Sequence, residues 1–284
     1  MNLLPAEQLA FTTVRIQALL RDGRTSTGTG YFFSFPDPSE EGLAFPILIS
    51  NKHVIEGANS ITFHMTRASA SGEPIVGDFV EIAITDISSK VIMHPDNEVD
   101  ICAFFVGPLL NQAKAQDKPF FYRWLDPTHV PTEAELADLV ALEDVIMIGY
   151  PIGLWDSANN MPVFRRGVTA THPYLNYESK KEFLVDMACF PGSSGSPVLL
   201  YNTTGFGDRN GNYNMGQSRF RLLGTLYAGP QYDAEGELHI VQVPTATKTI
   251  AVSQVPVNIG VVIRAERILE LEQVMRKAIV AIGA

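Results

Sequence analysis

The sequence predicts an all-β protein that ends in a helix, and three observations carry that reading. Short segments rich in β-branched and aromatic residues recur along nearly the whole chain, and several alternate apolar with polar residues at period two. They fall into two groups of roughly six, separated by residues 111–142, which lack strand alternation. Strands do not alternate with long helical patterns, so a βαβ sheet is excluded and barrels or sandwiches remain. Within residues 264–281, Ile268, Leu271, Val274, Met275, Ala278 and Ile279 follow helical spacing and predict a helix docked on the rest.

In order, residues 5–11 form a short helix with Pro5 at its favoured first turn. Residues 13–20 and 30–35 are strands of a hairpin around Arg21-Asp22-Gly23-Arg24. A short buried strand, 45–50, runs into a turn, Asn51-Lys52-His53-Val54-Ile55, and residues 61–65 form another strand. Residues 79–84 set Phe79, Glu81 and Ala83 against Val80, Ile82 and Ile84, the alternation of a half-buried strand; 90–93 and 101–106 continue the series. In the intervening stretch, residues 131–139 read as one acidic-ended helix. Strands resume at 144–150, 166–171, 182–187, 197–201, 220–227 and 259–263. Residues 202–218 read as a long exposed loop, and 231–257 as a hairpin turning at Ala234-Glu235-Gly236. The chain thus divides into a first half (1–110), a linker (111–143), a second half (144–263) and a terminal helix (264–284).

Composition narrows the function. The 284 residues suffice for a sizeable core, and 46% hydrophobic with 18% charged residues excludes a disordered or fibrous chain. A net charge of -10 and no clustered Lys or Arg argue against nucleic acid as a partner. No apolar run reaches membrane-spanning length, so no membrane partner is expected. Cys102 and Cys189 read as buried free thiols of a reducing compartment, and the N-terminus lacks a secretory pattern; the expected location is cytoplasmic.

One stretch concentrates chemistry: Pro191-Gly192-Ser193-Ser194-Gly195-Ser196-Pro197-Val198 packs three serines and two glycines ahead of a strand. By itself it is a turn. A serine in such a turn becomes a nucleophile when a base reaches it and backbone N–H groups face the developing oxyanion. Among six histidines, His53 follows a strand directly, on a turn where side chains are exposed. His64 reads as a half-exposed strand residue, and His129, His172 and His239 have no carboxylate suggestively placed. Asp100 abuts the apolar strand 101–106, a poor place for a charge without a partner. The chain order is His53, Asp100, Ser194.

With these residues the chain resembles the trypsin-like (chymotrypsin-fold) serine peptidases, and is most similar to the bacterial short-loop branch that includes the HtrA-type proteases. Four pieces carry the resemblance, which covers about residues 15–267. Gly28-Thr29-Gly30-Tyr31-Phe32 is similar to the Gly-x-Gly-aromatic strand, and Ser50-Asn51-Lys52-His53-Val54-Ile55-Glu56-Gly57-Ala58 to the strand and turn bearing the histidine. Val99-Asp100-Ile101-Cys102-Ala103 is similar to the Asp-plus-apolar strand, and Gly192-Ser193-Ser194-Gly195-Ser196-Pro197-Val198 to the nucleophile motif. The resemblance implies a double barrel, two six-stranded antiparallel β-barrels with a C-terminal helix, and hydrolysis of a polypeptide substrate through an acyl-enzyme without a cofactor or metal. It makes Ser194 the nucleophile, His53 the general base and Asp100 its orienting carboxylate. Gly192 and Ser194, helped by Ser193, become the oxyanion donors. Tyr227, Ala228 and Gly229 become the edge that pairs with substrate, and Ala188 the base of the specificity pocket.

Two departures matter. Ser193 stands where digestive members carry Asp, so activation by N-terminal trimming is not expected. Ala188 carries no charge, which points to a small or medium apolar side chain in the substrate. No PDZ-like segment follows the matching region, so PDZ-regulated behaviour is not expected. The alternatives are a peptidase-fold binding or sensing module with little turnover, and a protease effector gated by a regulatory protein partner. An α/β-hydrolase needs Gly-x-Ser-x-Gly and the order Ser, Asp, His, and a metal site from His53, His94 and Asp100 lacks ligand spacing.

Overall fold

A computed structural model of the chain describes residues 3–37, 43–229, 231–237, 250–256 and 258–283. The short helix α1 (Pro5–Leu9) leads into β1 (Thr13–Leu20), which turns back as β2 (Thr25–Pro36). β2 is buried from Gly28 to Phe35, because its residues alternate between two cores, Phe32 in one and Tyr31, Phe33 and Phe35 in the other. β3 (Ala44–Ser50) pairs with β2, and the chain then makes one helical turn, α2 (Lys52–Ile55), where a plain turn was expected. β4 (Ala58–Ala68), β5 (Pro74–Thr85), β6 (Val91–Met93) and β7 (Cys102–Phe105) complete the first half.

These seven strands pair as one antiparallel sheet in the order β5-β4-β1-β2-β3-β7-β6. The expected six-stranded barrel is corrected here: the ladder holds seven strands, and its ends β5 and β6 each have one strand partner among the described residues. Closure is set by pairing between strands distant in sequence, which alternation along one strand does not encode.

The linker is less irregular than expected. It begins in α3 (Gly107–Ala115), which has Pro at its first turn, and lays Leu125 beside Phe33 in a parallel bridge. α4 (Glu133–Asp138) then forms where residues 131–139 predicted a helix. Thr132 caps it: its Oγ1 accepts from Glu135 N–H (3.2 Å) while the Glu135 carboxylate accepts from Thr132 N–H (2.8 Å).

The second half runs β8 (Asp144–Gly149), β9 (Val163–Thr169), β10 (Glu182–Asp186), β11 (Pro197–Asn202), β12 (Gly205–Gly207), β13 (Tyr213–Met215), β14 (Arg219–Ala228), β15 (Gln231–Glu237), β16 (Ile250–Pro256) and β17 (Ile259–Arg264). Six of them close into a barrel, β10-β17-β14-β11-β8-β9, as expected for this half. The loop expected at 202–218 contains the small hairpin β12–β13. The expected hairpin at 231–257 is β15–β16, but Ala234-Glu235-Gly236 pairs with Ser253-Val252-Ala251 inside the ladder instead of turning. His239 lies outside the described residues.

The terminal helix divides into α5 (Glu266–Leu269) and α6 (Leu271–Gly283). Its buried Ile268, Leu271 and Met275 join Tyr31, Phe33 and Ile47 of the first half and Ile148, Leu199, Leu222 and Ile263 of the second in one hydrophobic cluster. Burial of each such side chain contributes about 1.5–3 kcal/mol, so the sheet, the barrel and the helix share one core. Buried polar contacts cross the same seam, with Tyr31 Oη and Thr225 Oγ1 2.8 Å apart and Tyr150 O–H donating to Thr13 carbonyl (3.2 Å). Among the described residues no helix is long and apolar enough to cross a membrane.

Candidate active site

Ser194 stands on the turn between β10 and β11. Gly192 and Gly195 hold φ of +88° and +87° there, a region that side chains rarely enter. Space also demands glycine: a Cβ on Gly192 would lie 2.6 Å from Tyr150 carbonyl oxygen, and one on Gly195 would overlap the Thr29 carbonyl. Within the turn, Gly195 N–H donates to Leu226 carbonyl (2.8 Å), Ser196 N–H to Ser193 carbonyl (3.0 Å) and Ser193 N–H to Phe190 carbonyl (3.0 Å). The N–H groups of Gly192 and Ser194 make no hydrogen bond among the described residues. The Ser193 N–H, expected as a third donor, is thus already occupied by Phe190.

Burial separates the three serines. Ser193 and Ser196 are 1% and 0% exposed, and their hydroxyls have no partner among the described residues. Ser194 is half-buried, and its Oγ donates to Tyr227 carbonyl at 3.5 Å, the long end of a hydrogen bond. Tyr227 sits in a bulge of β14, where the pairing slips between Leu226 and Ala228.

His53 lies on α2, whose buried Val54 and Ile55 anchor the turn in the first-half core. Its ring Nδ1 is 2.5 Å from Asp100 Oδ2, and its backbone N–H donates to Asp100 Oδ1 (3.1 Å). Both carboxylate oxygens are therefore engaged by one residue, which fixes the ring and leaves Nε2 as the acceptor when Nδ1 carries the proton. Asn51 Nδ2 donates to Asp100 carbonyl (2.6 Å), tying the acid to the N-cap of the same turn.

One strand brings the two halves of the site together. Thr29 N–H on β2 donates to Ser194 carbonyl (2.8 Å), and its Oγ1 donates to Gly192 carbonyl (3.0 Å) while accepting from Tyr150 N–H (3.2 Å). Thr29 carbonyl accepts from Ser50 Oγ (2.8 Å), just ahead of α2. At neighbouring Gly28 a Cβ would meet Val54 at 2.6 Å and Ser194 carbonyl oxygen at 3.2 Å, so the His53 turn and the Ser194 turn flank one glycine. Among the described residues no hydrogen bond joins Ser194 Oγ to His53. Thr29 and Ser50 were missed as parts of the site by sequence reasoning; their signal was a threonine between two glycines, and a serine directly before the Asn51 N-cap.

The remaining expected residues line the flank. Half-buried Ala188 lies between buried Met187 and Cys189. Cys189 Cβ is 3.6 Å from a Cβ placed on exposed Gly229, and its Sγ is 2.5 Å from one placed on Gly260. Ala228 ends β14 opposite Val261. Tyr227 O–H donates to the buried Glu182 carboxylate (3.0 Å), and its phenol is pushed up by burial first and by that carboxylate second. Burial pushes the Cys189 thiol up to about 11 and the Cys102 thiol further, so neither buried thiol is a ready nucleophile.

Three other histidines have carboxylates nearby, and for His129 this corrects its expected isolation. His129 Nδ1 is 2.9 Å from Asp126 Oδ1 in a local cap, His64 Nε2 is 3.9 Å from Glu81 across β4 and β5, and His94 Nε2 is 3.5 Å from Glu270. None of these pairs involves the serine turn. Among the described residues no cluster of three His, Cys, Asp or Glu is arranged to hold a metal ion.

No family model and no curated protein sequence matches the chain. Solved structures do resemble it. One is the HtrA-type protease AlgW with tripeptide, at 16% identity and a TM-score of 0.46, covering 93% of this chain and 60% of that one. A second is the serine endoprotease from Yersinia pestis, at 16% identity and a TM-score of 0.47, covering 95% and 64%. A third is the tobacco vein mottling virus protease, at 15% identity and a TM-score of 0.43, covering 78% and 72%. The chain therefore spans less than two thirds of the length of the first two.

Proposed function

We propose that the chain is a serine endopeptidase that cleaves a polypeptide substrate by way of an acyl-enzyme. The observation that carries this reading is the shared strand: Gly28 and Thr29 touch both the Ser194 turn and the turn whose His53 ring is bound by Asp100. In this reading Ser194 Oγ swings from Tyr227 carbonyl to His53 Nε2, which takes its proton as the hydroxyl attacks the scissile carbonyl. Asp100 holds the ring and stabilises the imidazolium that forms. The free N–H groups of Gly192 and Ser194 receive the oxyanion; loss of one such donor costs about 3–4 kcal/mol. The imidazolium then protonates the leaving amine, and water repeats the sequence to release the acyl group.

The sheet and the closed barrel act here as the two lobes on either side of the site, with the substrate backbone laid along Tyr227, Ala228 and Gly229 as an added strand. Ala188 and Cys189 against Gly229 favour a small or medium apolar side chain next to the scissile bond. The location carried with this reading is cytoplasmic, and no metal or cofactor is required. A second reading, a binding module or a partner-gated effector, is favoured by one observation: Ser194 Oγ rests on Tyr227 carbonyl, away from His53.

A fluorophosphonate probe separates the two. The wild type is expected to label at Ser194, and Ser194→Ala and His53→Ala to lose labelling, with peptide turnover falling about 10⁶-fold in each. A folded wild type that does not label, or labelling that is equal in His53→Ala, overturns the peptidase reading.

A further inference from the structure

We infer that Arg267 of α5 is a positioning residue for the His53–Asp100 pair, pinning the loop that carries Asp100 from outside the first-half sheet. The kinetic consequence rests on the peptidase reading; the pinning itself does not. The loop runs from β6 to β7, and Asp96 organises it. Its carboxylate accepts from Glu98 N–H (3.0 Å), and its carbonyl accepts from Val99 N–H (3.2 Å) and from Lys52 Nζ (3.1 Å). Asp100 directly follows Val99, whose N–H is bound by Asp96, so the position of Asp96 bears on where the acid begins.

Asp96 is in turn held by the terminal helix. Arg267 Nη2 is 2.6 Å from Asp96 Oδ2, and Arg267 Nη1 is 3.2 Å from Glu270 Oε1, so the guanidinium is anchored at both ends. The Arg267 side chain is only 14% exposed and Asp96 46%, so the bridge is fixed at its arginine end while its carboxylate end meets solvent. The Asp96 carboxyl lies below its ordinary range, through the Glu98 N–H first and Arg267 after it. His94 ties the same two elements together. Its ring is buried, its Nε2 is 3.0 Å from Arg267 carbonyl, and its Nδ1 accepts from Asp96 N–H (3.1 Å). Nε2 is then the protonated nitrogen and donates to the helix.

Next to Arg267, fully buried Ile268 and Leu271 set the helix into the core shared by both halves. The arginine thus projects from a rigid post. Asn51, Lys52 and His53 hold the loop from its own sheet. Arg267 adds a tie to the body that also holds the serine turn, and displacement of an acid by about 1 Å is enough to cost a large factor in rate.

The test compares Arg267→Met with Arg267→Lys in the full chain. One readout is the far-downfield proton resonance of the His53 Nδ1–H···Asp100 hydrogen bond, assigned by its loss in Asp100→Asn. The other is kcat and KM on a peptide, per site titrated by the fluorophosphonate probe. Arg267→Met is expected to broaden or lose the resonance and to lower kcat by about 10–100-fold with KM within twofold. Arg267→Lys is expected to recover most of both. A merely structural role would lower the titratable fraction and leave turnover per titrated site unchanged. If Arg267→Met does not fold, Asp96→Asn carries the same comparison. An unchanged resonance with unchanged kcat overturns the inference, whereas a wild type that shows the resonance but never labels overturns only the peptidase reading.

Discussion

The barrel that carries Ser194 closes on itself, while the sheet that carries His53 and Asp100 ends in β5 and β6. The two regions hold their reactive parts by different means. The Ser194 turn is set largely by backbone: two glycines at positive φ, and N–H groups of Ser193, Gly195 and Ser196 bonded to carbonyls, with the one side chain Thr29 reaching in to Gly192 carbonyl. The Asp100 loop is set by side chains reaching in from other elements, Asn51 and Lys52 from the N-cap and first residue of α2 and Arg267 from α5. Closure supplies the first kind of rigidity, because every barrel strand has a neighbour on each side. A sheet whose end strands have one partner each among the described residues needs the second kind.

The largest stability effect expected would test whether the barrel also leans on side chains. Glu143 enters β8 with its side chain 5% exposed, paired with Arg219 Nη2 at 2.5 Å and accepting from Val140 N–H (3.0 Å). Arg219→Met leaves a buried carboxylate without its cation and should cost about 3–5 kcal/mol in urea denaturation. A loss below about 1 kcal/mol would mean the closed ladder suffices by itself.

A smaller effect concerns the sheet side. Burial depresses the His94 imidazole from its ordinary value of 6.5. The native state therefore binds this proton less readily than the unfolded chain does. The sign follows: the stabilisation is fully present above about pH 6.5 and is lost as pH falls below that value, by at most about 1.4 kcal/mol per pH unit for one proton. The groups packed on the ring include Asp96, Arg267 and Glu270. Urea midpoints measured from pH 7.5 to 5 should fall more steeply in wild type than in His94→Gln. Parallel slopes would remove His94 from the tie between loop and helix.

The smallest effect belongs to the edge. β5 pairs with β4 alone among the described strands, and its Val76 is 53% exposed. Val76→Lys should change stability by no more than about 0.5 kcal/mol, yet reduce self-association in sedimentation, since a charge blunts an open edge. Unchanged association would show that this edge is protected by other means.

What could be read in the sequence follows the same division. Local signals were sufficient for β1 and its hairpin, for the alternating β5, for the capped α4 and for the helical spacing that buries Ile268, Leu271 and Met275. The pairing of His53 with Asp100 could be anticipated because each stands beside an apolar strand, where an unpartnered polar group is costly. α3 was missed because the reading of residues 111–142 rests only on their lack of strand alternation, although Pro108 stands in the first turn of a helix, where it is at home. Ala234-Glu235-Gly236 reads as a turn, yet the ladder with β16 runs through it. The tie from Arg267 to Asp96 spans 171 positions, and no local pattern encodes a contact of that range.

Thr29 has a consequence for the order in which the molecule becomes competent. Its hydroxyl and Gly192 carbonyl are 163 positions apart, so the serine turn reaches its final partner only after most of the chain has left the ribosome. Domains synthesised first generally fold first, and contacts of long sequence separation form late. A nascent chain that has completed only the sheet would hold a histidine and its acid but nothing for them to activate. Under the peptidase reading proposed above, that ordering amounts to a delay written into the topology: the serine turn and the histidine turn come together only once both halves of the chain are present.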